Sequence, residues 1–169
     1  MAVTAAIRAS YAGSLGSLVT RSPPDERSDR ATVARTMAKQ PIDPVLRELA
    51  PFTECSRPEL RLASRLVRSI SVSPGEVLMR QGDAGRDVMF VAEGAATVTR
   101  DGHAVAVVGR GDVVGELSLL VGAPRTATVV ARSAMTLAVF DDRDFEAMLD
   151  ASPAVAGAVL RTAVRRLAA

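Results

Sequence analysis

The residues best suited to chemistry lie close together, in Gly111-Asp112-Val113-Val114-Gly115-Glu116-Leu117-Ser118-Leu119-Leu120 and Gly122-Ala123-Pro124-Arg125-Thr126-Ala127-Thr128-Val129. Arg125 carries a planar cationic fork suited to a phosphate. Gly111 and Gly115 allow a tight turn and a close approach of backbone to a ligand. Glu116 to Leu120 has the length of one short helix after that turn. Gly122-Ala123-Pro124 stops it, because a proline pushes the preceding residue out of the helical region. Thr126 to Val130 then reads as a strand rich in β-branched residues. A short helix wedged between strands presents free N–H groups at its N-terminus, and these suit an anion. Gly115, Leu117 and Ser118 are the candidates there, through backbone amides or the Ser118 hydroxyl. Glu116 would repel a phosphate unless it accepts hydrogen bonds from a hydroxyl nearby, as on a ribose. Anion donors, a guanidinium and one carboxylate together suggest a sugar phosphate.

The segment resembles the phosphate-binding cassette of cyclic nucleotide-binding domains, which occur in protein kinase A regulatory subunits, catabolite activator proteins and cyclic nucleotide-gated channels. The resemblance rests on Gly115-Glu116-Leu117-Ser118-Leu119 and Pro124-Arg125-Thr126-Ala127-Thr128-Val129, and covers roughly Val45 to Leu167. It implies a mainly β fold, an antiparallel β-roll or jelly roll with N-terminal helices, a short cassette helix and two C-terminal helices. It implies a cyclic nucleotide as ligand, with Arg125 on the phosphate, Glu116 on the ribose 2′-hydroxyl, and Gly115, Leu117, Ser118 and Thr126 beside them. Threonine at the place of Thr126 favours guanine in the kinase branch. Bacterial members carry Ser or Thr there and use cyclic AMP, and this composition looks bacterial, so cyclic AMP is expected over cyclic GMP. The resemblance also makes the final helix a lid, for which Leu160, Val164 and Leu167 are the candidate aliphatic caps. No aromatic residue is available on that helix to stack on a base.

Composition narrows the alternatives. The chain has 169 residues, enough for one domain and a tail, and a formal net charge of +2. That excess comes from Arg8 and Arg21, since residues 1–24 hold no acid. The balanced remainder argues against a dedicated nucleic-acid binder, which would show a clustered basic face. One cysteine, Cys55, excludes an internal disulfide and a cysteine-based metal site. His103 stands alone, whereas a metal-dependent barrel enzyme needs two or three such ligands. No apolar run reaches the roughly 18 residues that span a bilayer. These features predict a cytoplasmic chain with no catalysis, no metal and no cofactor beyond its ligand.

Organisation along the chain agrees with one β domain. Residues 1–41 lack periodicity and read as a disordered tail, with Met37 as an alternative start; residues 42–169 form the domain. Asp43-Pro44 opens a first helix and Pro51 ends it. Ser56 and Glu59 stand at capping-box spacing for a second. Period-two patterning begins at Arg65 and short strands follow: Val77–Arg80, Asp87–Val91, Ala96–Arg100, His103–Val108, Thr126–Ala131 and Met135–Phe140. Asp101-Gly102 marks a hairpin between two of them. Such spacing means an antiparallel sandwich or barrel and excludes a doubly wound α/β fold. Asp141 begins a helix, and Ser152-Pro153 begins the last one. There Val155, Val159, Leu160, Ala163, Val164 and Leu167 are expected on one face, for packing on the barrel or for homodimer formation through the C-terminal helix. The chain is thus expected to be a sensor whose output goes to an unidentified protein effector or to self-association. A degenerate, nucleotide-free interaction module is the alternative.

Overall fold

The structure, a computed structural model, describes residues 43–168. The expectations for residues 1–41, including the start at Met37, lie outside the described residues. Helix α1 (Asp43–Glu48), a 3-10 turn (Ala50–Phe52) and α2 (Arg57–Leu66) come first. The capping box forms, with Ser56 N–H donating to Glu59 Oε2 at 2.7 Å and Glu59 N–H to Ser56 Oγ at 3.5 Å. α2 runs to Leu66, so the first strand starts three residues later than the alternation suggests. Leu60 and Ala63 are buried at helical spacing, and that burial outweighs the period-two pattern that begins inside the helix.

Strands β1 (Arg68–Val72), β2 (Val77–Met79), β3 (Asp87–Glu93), β4 (Ala96–Arg100), β5 (His103–Val108), β6 (Val113–Val114), β7 (Thr128–Ala131) and β8 (Met135–Asp141) form two antiparallel four-stranded sheets. One sheet has the order β1-β8-β3-β6 and the other β2-β7-β4-β5. The faces between them bury Ile70, Leu78, Met89, Val91, Val114, Val129 and Leu137. β3 and β8 are apolar on both faces because the first sheet has a second layer behind it. Val88, Phe90, Ala138 and Phe140 point the other way, into a core shared with the helices. Phe52 from the 3-10 turn meets Phe90 edge-on at 5.1 Å between ring centroids and stacks on Phe140 at 6.2 Å. A strand buried on both sides reads as a continuous apolar run, which is the pattern of Val88 to Ala92.

The hairpin forms where Asp101-Gly102 predicts it, with φ of 51° and 80° at the two turn residues. β6 has no sequence counterpart: two valines between glycine turns are too short to show a period. Helix α3 (Glu116–Val121) follows β6, then α4 (Asp142–Ala151) and α5 (Pro153–Ala168) complete the chain. Asp141 caps α4, accepting from Asp144 N–H at 2.8 Å. The expected single apolar face of α5 divides in two. Val155, Val159 and Ala163 are buried, while Leu160, Val164 and Leu167 keep 36%, 48% and 45% exposure. Six apolar residues at those spacings span more of the helix circumference than one packing surface can cover.

Candidate functional site

The cassette has the conformation its residues predict. Gly115 caps α3 at φ 89° and Gly122 closes it at φ 69°, both in the left-handed region that favours glycine. The loop after α3 brings Arg125 back beneath the start of the helix, where its side chain is buried. Its Nη1 donates to Gly115 O at 3.0 Å, and its Nη2 donates to Asp87 O at 2.9 Å and to Asp87 Oδ1 at 2.5 Å. The backbone is pinned as well, since Arg125 N–H donates to Asp83 O and Gly82 N–H to Arg125 O. Two glycines clear the space: a Cβ at Gly115 would lie 2.4 Å from Nη1, and one at Gly85 would lie 2.8 Å from the guanidinium carbon.

Three of the five guanidinium donors are engaged in this way. The Nε–H and the second Nη1 hydrogen have no partner among the described residues. They belong to a side chain lining a cavity of about 260 Å³. The cassette contributes Gly115, Glu116, Leu117, Ser118, Arg125 and Thr126 to that cavity, so all six predicted ligand residues share one site. The second sheet supplies an aliphatic wall that includes Met79, Val98, Val105, Val108 and Val129. Ser118 is buried, and its hydroxyl has no hydrogen-bond partner among the described residues. Buried hydroxyls seldom go unpaired.

Glu116 is 1% exposed, and its Oε1 accepts from Arg166 Nη1 of α5 at 2.6 Å. Burial pushes its carboxyl above the ordinary glutamate range, against the opposing pull of Arg166, its own backbone amide and Arg125. Arg166 lines the cavity too. From sequence, α5 shows only a basic last turn, and nothing in its spacing reveals the carboxylate fifty residues upstream. The candidate caps are placed otherwise. Leu160, Val164 and Leu167 are exposed and do not line the cavity, so the residue through which α5 reaches it is Arg166. Arg100, from β4, is a further lining residue that the sequence reading passed over. Arg125 is paired to Asp87 behind the cavity and Arg166 to Glu116 within it, so the lining Arg100 leaves the site with an excess of positive charge suited to an anion.

His103 lies at the exposed start of β5, where its Nδ1 is 2.9 Å from Asp101 O. No group of three or more metal-ligating side chains occurs among the described residues. Among them, no helix is long and apolar enough to cross a membrane.

Residues 69–152 match the family model described as cyclic nucleotide-binding domain. A cyclic nucleotide-gated potassium channel of Rhizobium etli is 35% identical over 102 residues, which is 60% of this chain and 28% of the channel. The crystal structure of the N-terminal domain of a transcriptional regulator from Streptomyces coelicolor is 33% identical. It aligns over 73% of this chain and 91% of that domain, with a TM-score of 0.57. The regulatory subunit of a cAMP-independent protein kinase A from Trypanosoma brucei is 26% identical and aligns over 72% of this chain and 44% of its own, with a TM-score of 0.67. The chain spans 28% to 36% of the first curated relatives it matches.

Proposed function

The chain belongs to the cyclic nucleotide-binding domain family, and on that premise we propose that it is a non-catalytic sensor of a cyclic nucleotide monophosphate. The observation that carries this reading is the state of Arg125. It is buried, fixed by two elements, and keeps two donors uncommitted in a cavity with excess positive charge. A phosphate takes those donors and the α3 amides. The ribose 2′-hydroxyl donates to Glu116, whose Oε1 is held by Arg166. The base then lies against the aliphatic wall. Cyclic AMP is the preferred ligand over cyclic GMP, the order that the bacterial use of Ser or Thr beside the arginine supports at Thr126. Output comes from α5: a ligand that orients Glu116 strengthens the Arg166 contact and draws the last helix onto the cassette, with the shift driven by tighter binding to the closed arrangement.

The Trypanosoma brucei neighbour supports a second reading. It belongs to a cAMP-independent kinase, so a shared fold does not fix the ligand. Under that reading the domain binds no nucleotide and acts as an interaction module. Calorimetric titration of the protein with cyclic AMP and cyclic GMP, beside Arg125→Ala, separates the two. Saturable binding that is lost in the variant is expected. No heat and no thermal shift with either nucleotide at about millimolar concentration would favour the interaction module.

A further inference from the structure

The β4–β5 hairpin forms the outer wall of the cavity, supplying Val98, Arg100, Val105, Ala106 and Val108. It is weakly held for a binding surface. β5 is the edge strand of its sheet, and five of its six residues are exposed, leaving only Val108 buried. Val105 and Val107 keep 53% and 55% exposure. Pairing with β4 alone leaves such a ribbon free to flex at its tip.

One side chain from outside the hairpin closes on that tip. Gln81, in the loop after β2, donates from Nε2 to Asp101 Oδ1 at 2.7 Å and accepts from Asp101 N–H through Oε1 at 2.8 Å. Both faces of its amide are used on one turn residue, and that residue is the only non-glycine with positive φ among those described. The backbone N–H of Gln81 donates to Thr128 Oγ1 at 2.9 Å. The neighbouring Gly82 and Asp83 hold the backbone of Arg125. A single short loop therefore ties the hairpin tip to the start of β7 and to the loop that carries the cassette arginine. Arg100 adjoins the clasped turn and shares a β4 face with Val98 by the two-residue period, and both line the cavity. Its guanidinium has no hydrogen bond or ion pair with any described residue.

We propose that Gln81 is a positioning residue for the ligand site: its clasp on Asp101 fixes the β4–β5 hairpin against the cassette and sets Arg100 over the bound nucleotide. The proposal rests on the sensor reading above. It extends the site to a residue that does not touch the cavity and to a cation outside the cassette. Loss of the clasp leaves the phosphate contacts in place and frees the wall, so dissociation accelerates while the cassette stays intact.

The test uses the full chain as Gln81→Ala, Arg100→Ala and the double variant, with Asp101→Asn as the conservative counterpart that keeps an acceptor for the Gln81 amide. Without ligand, Gln81→Ala is expected to speed amide hydrogen exchange across residues 96–108 about tenfold, and Asp101→Asn to leave it near wild type. With cyclic AMP, Gln81→Ala is expected to weaken binding about tenfold when Arg100 is present and to add nothing when Arg100 is already alanine. A merely structural role gives equal losses in both backgrounds and overturns the proposal, as does unchanged exchange in Gln81→Ala. Failure of the unaltered chain to bind either nucleotide sinks the sensor reading and the role of Arg100 with it. The exchange measurement then still decides whether Gln81 holds the hairpin.

Discussion

Glu116 and Arg125 show how differently two residues of one motif are legible. Arg125 could be picked out from sequence as a site residue, and the structure places it against the cavity. Its anchor Asp87 could not be, since that contact joins segments 38 residues apart. Glu116 was legible as a site residue, while its partner Arg166 is visible only once α5 has met the cassette. The pairing has a consequence for pH. Burial raises the folded-state carboxyl of Glu116 above its unfolded value of about 4.3. Its stabilising contribution is therefore fully present below that value and is lost as pH rises through the folded one. Glu116→Gln removes the titrating group and keeps an acceptor for Arg166. Relative to the variant, the ligand-free wild type is expected to lose thermal stability as pH climbs above about 4.3. Parallel melting curves of the two proteins between pH 4 and 8 check this, and a difference that stays flat or reverses sign would remove Glu116 as the cause.

At the scale of elements, the cassette was the most legible part because its signals are local: glycines at both helix ends, a proline after them and a β-branched strand. The hairpin and capping box were legible for the same reason. The boundary between α2 and β1 was not, because Leu66 fits both periods and only the helical core decides between them. β6 was missed because two residues cannot show a pattern. The cassette geometry also separates two effects of glycine. Gly115 and Gly75 both have φ near 90°, but a Cβ at Gly75 meets nothing within 4 Å while one at Gly115 collides with Arg125 and Asp87. Gly75→Ala is expected to cost about 1–2 kcal/mol of stability from backbone strain and to leave ligand affinity unchanged. Gly115→Ala carries the same strain and also displaces the guanidinium, so nucleotide binding is expected to vanish. Denaturant titration with calorimetry on both variants checks the pair. Retained affinity in Gly115→Ala would show that the arginine can move without loss of the site.

On the scale of the whole molecule, α5 serves two surfaces at once. Val155, Val159 and Ala163 anchor it to the helical core, Arg166 reaches the cavity, and Leu160, Val164 and Leu167 stand on a second apolar stripe. The spacing of 160, 164 and 167 matches one seam of a helix pair. The sequence could not separate these roles, because the buried and exposed sets follow one another at three- and four-residue intervals and only the packing of the 3-10 turn and α4 shows which set is taken. A second copy of the chain would cover the open stripe. The expected outcome is concentration-dependent dimerisation in sedimentation equilibrium, abolished by Val164→Glu, which places a charge in the seam and leaves the buried residues untouched. Because Arg166 lies on the same helix, dimerisation and ligand binding are expected to be coupled, and such coupling is reciprocal. If cyclic AMP tightens the dimer, the dimer must tighten cyclic AMP by the same factor, so Val164→Glu should weaken the nucleotide without touching the cavity. Dimerisation that ignores ligand would confine α5 to assembly. A wild-type chain that remains monomeric at about millimolar concentration would leave the stripe for an effector instead.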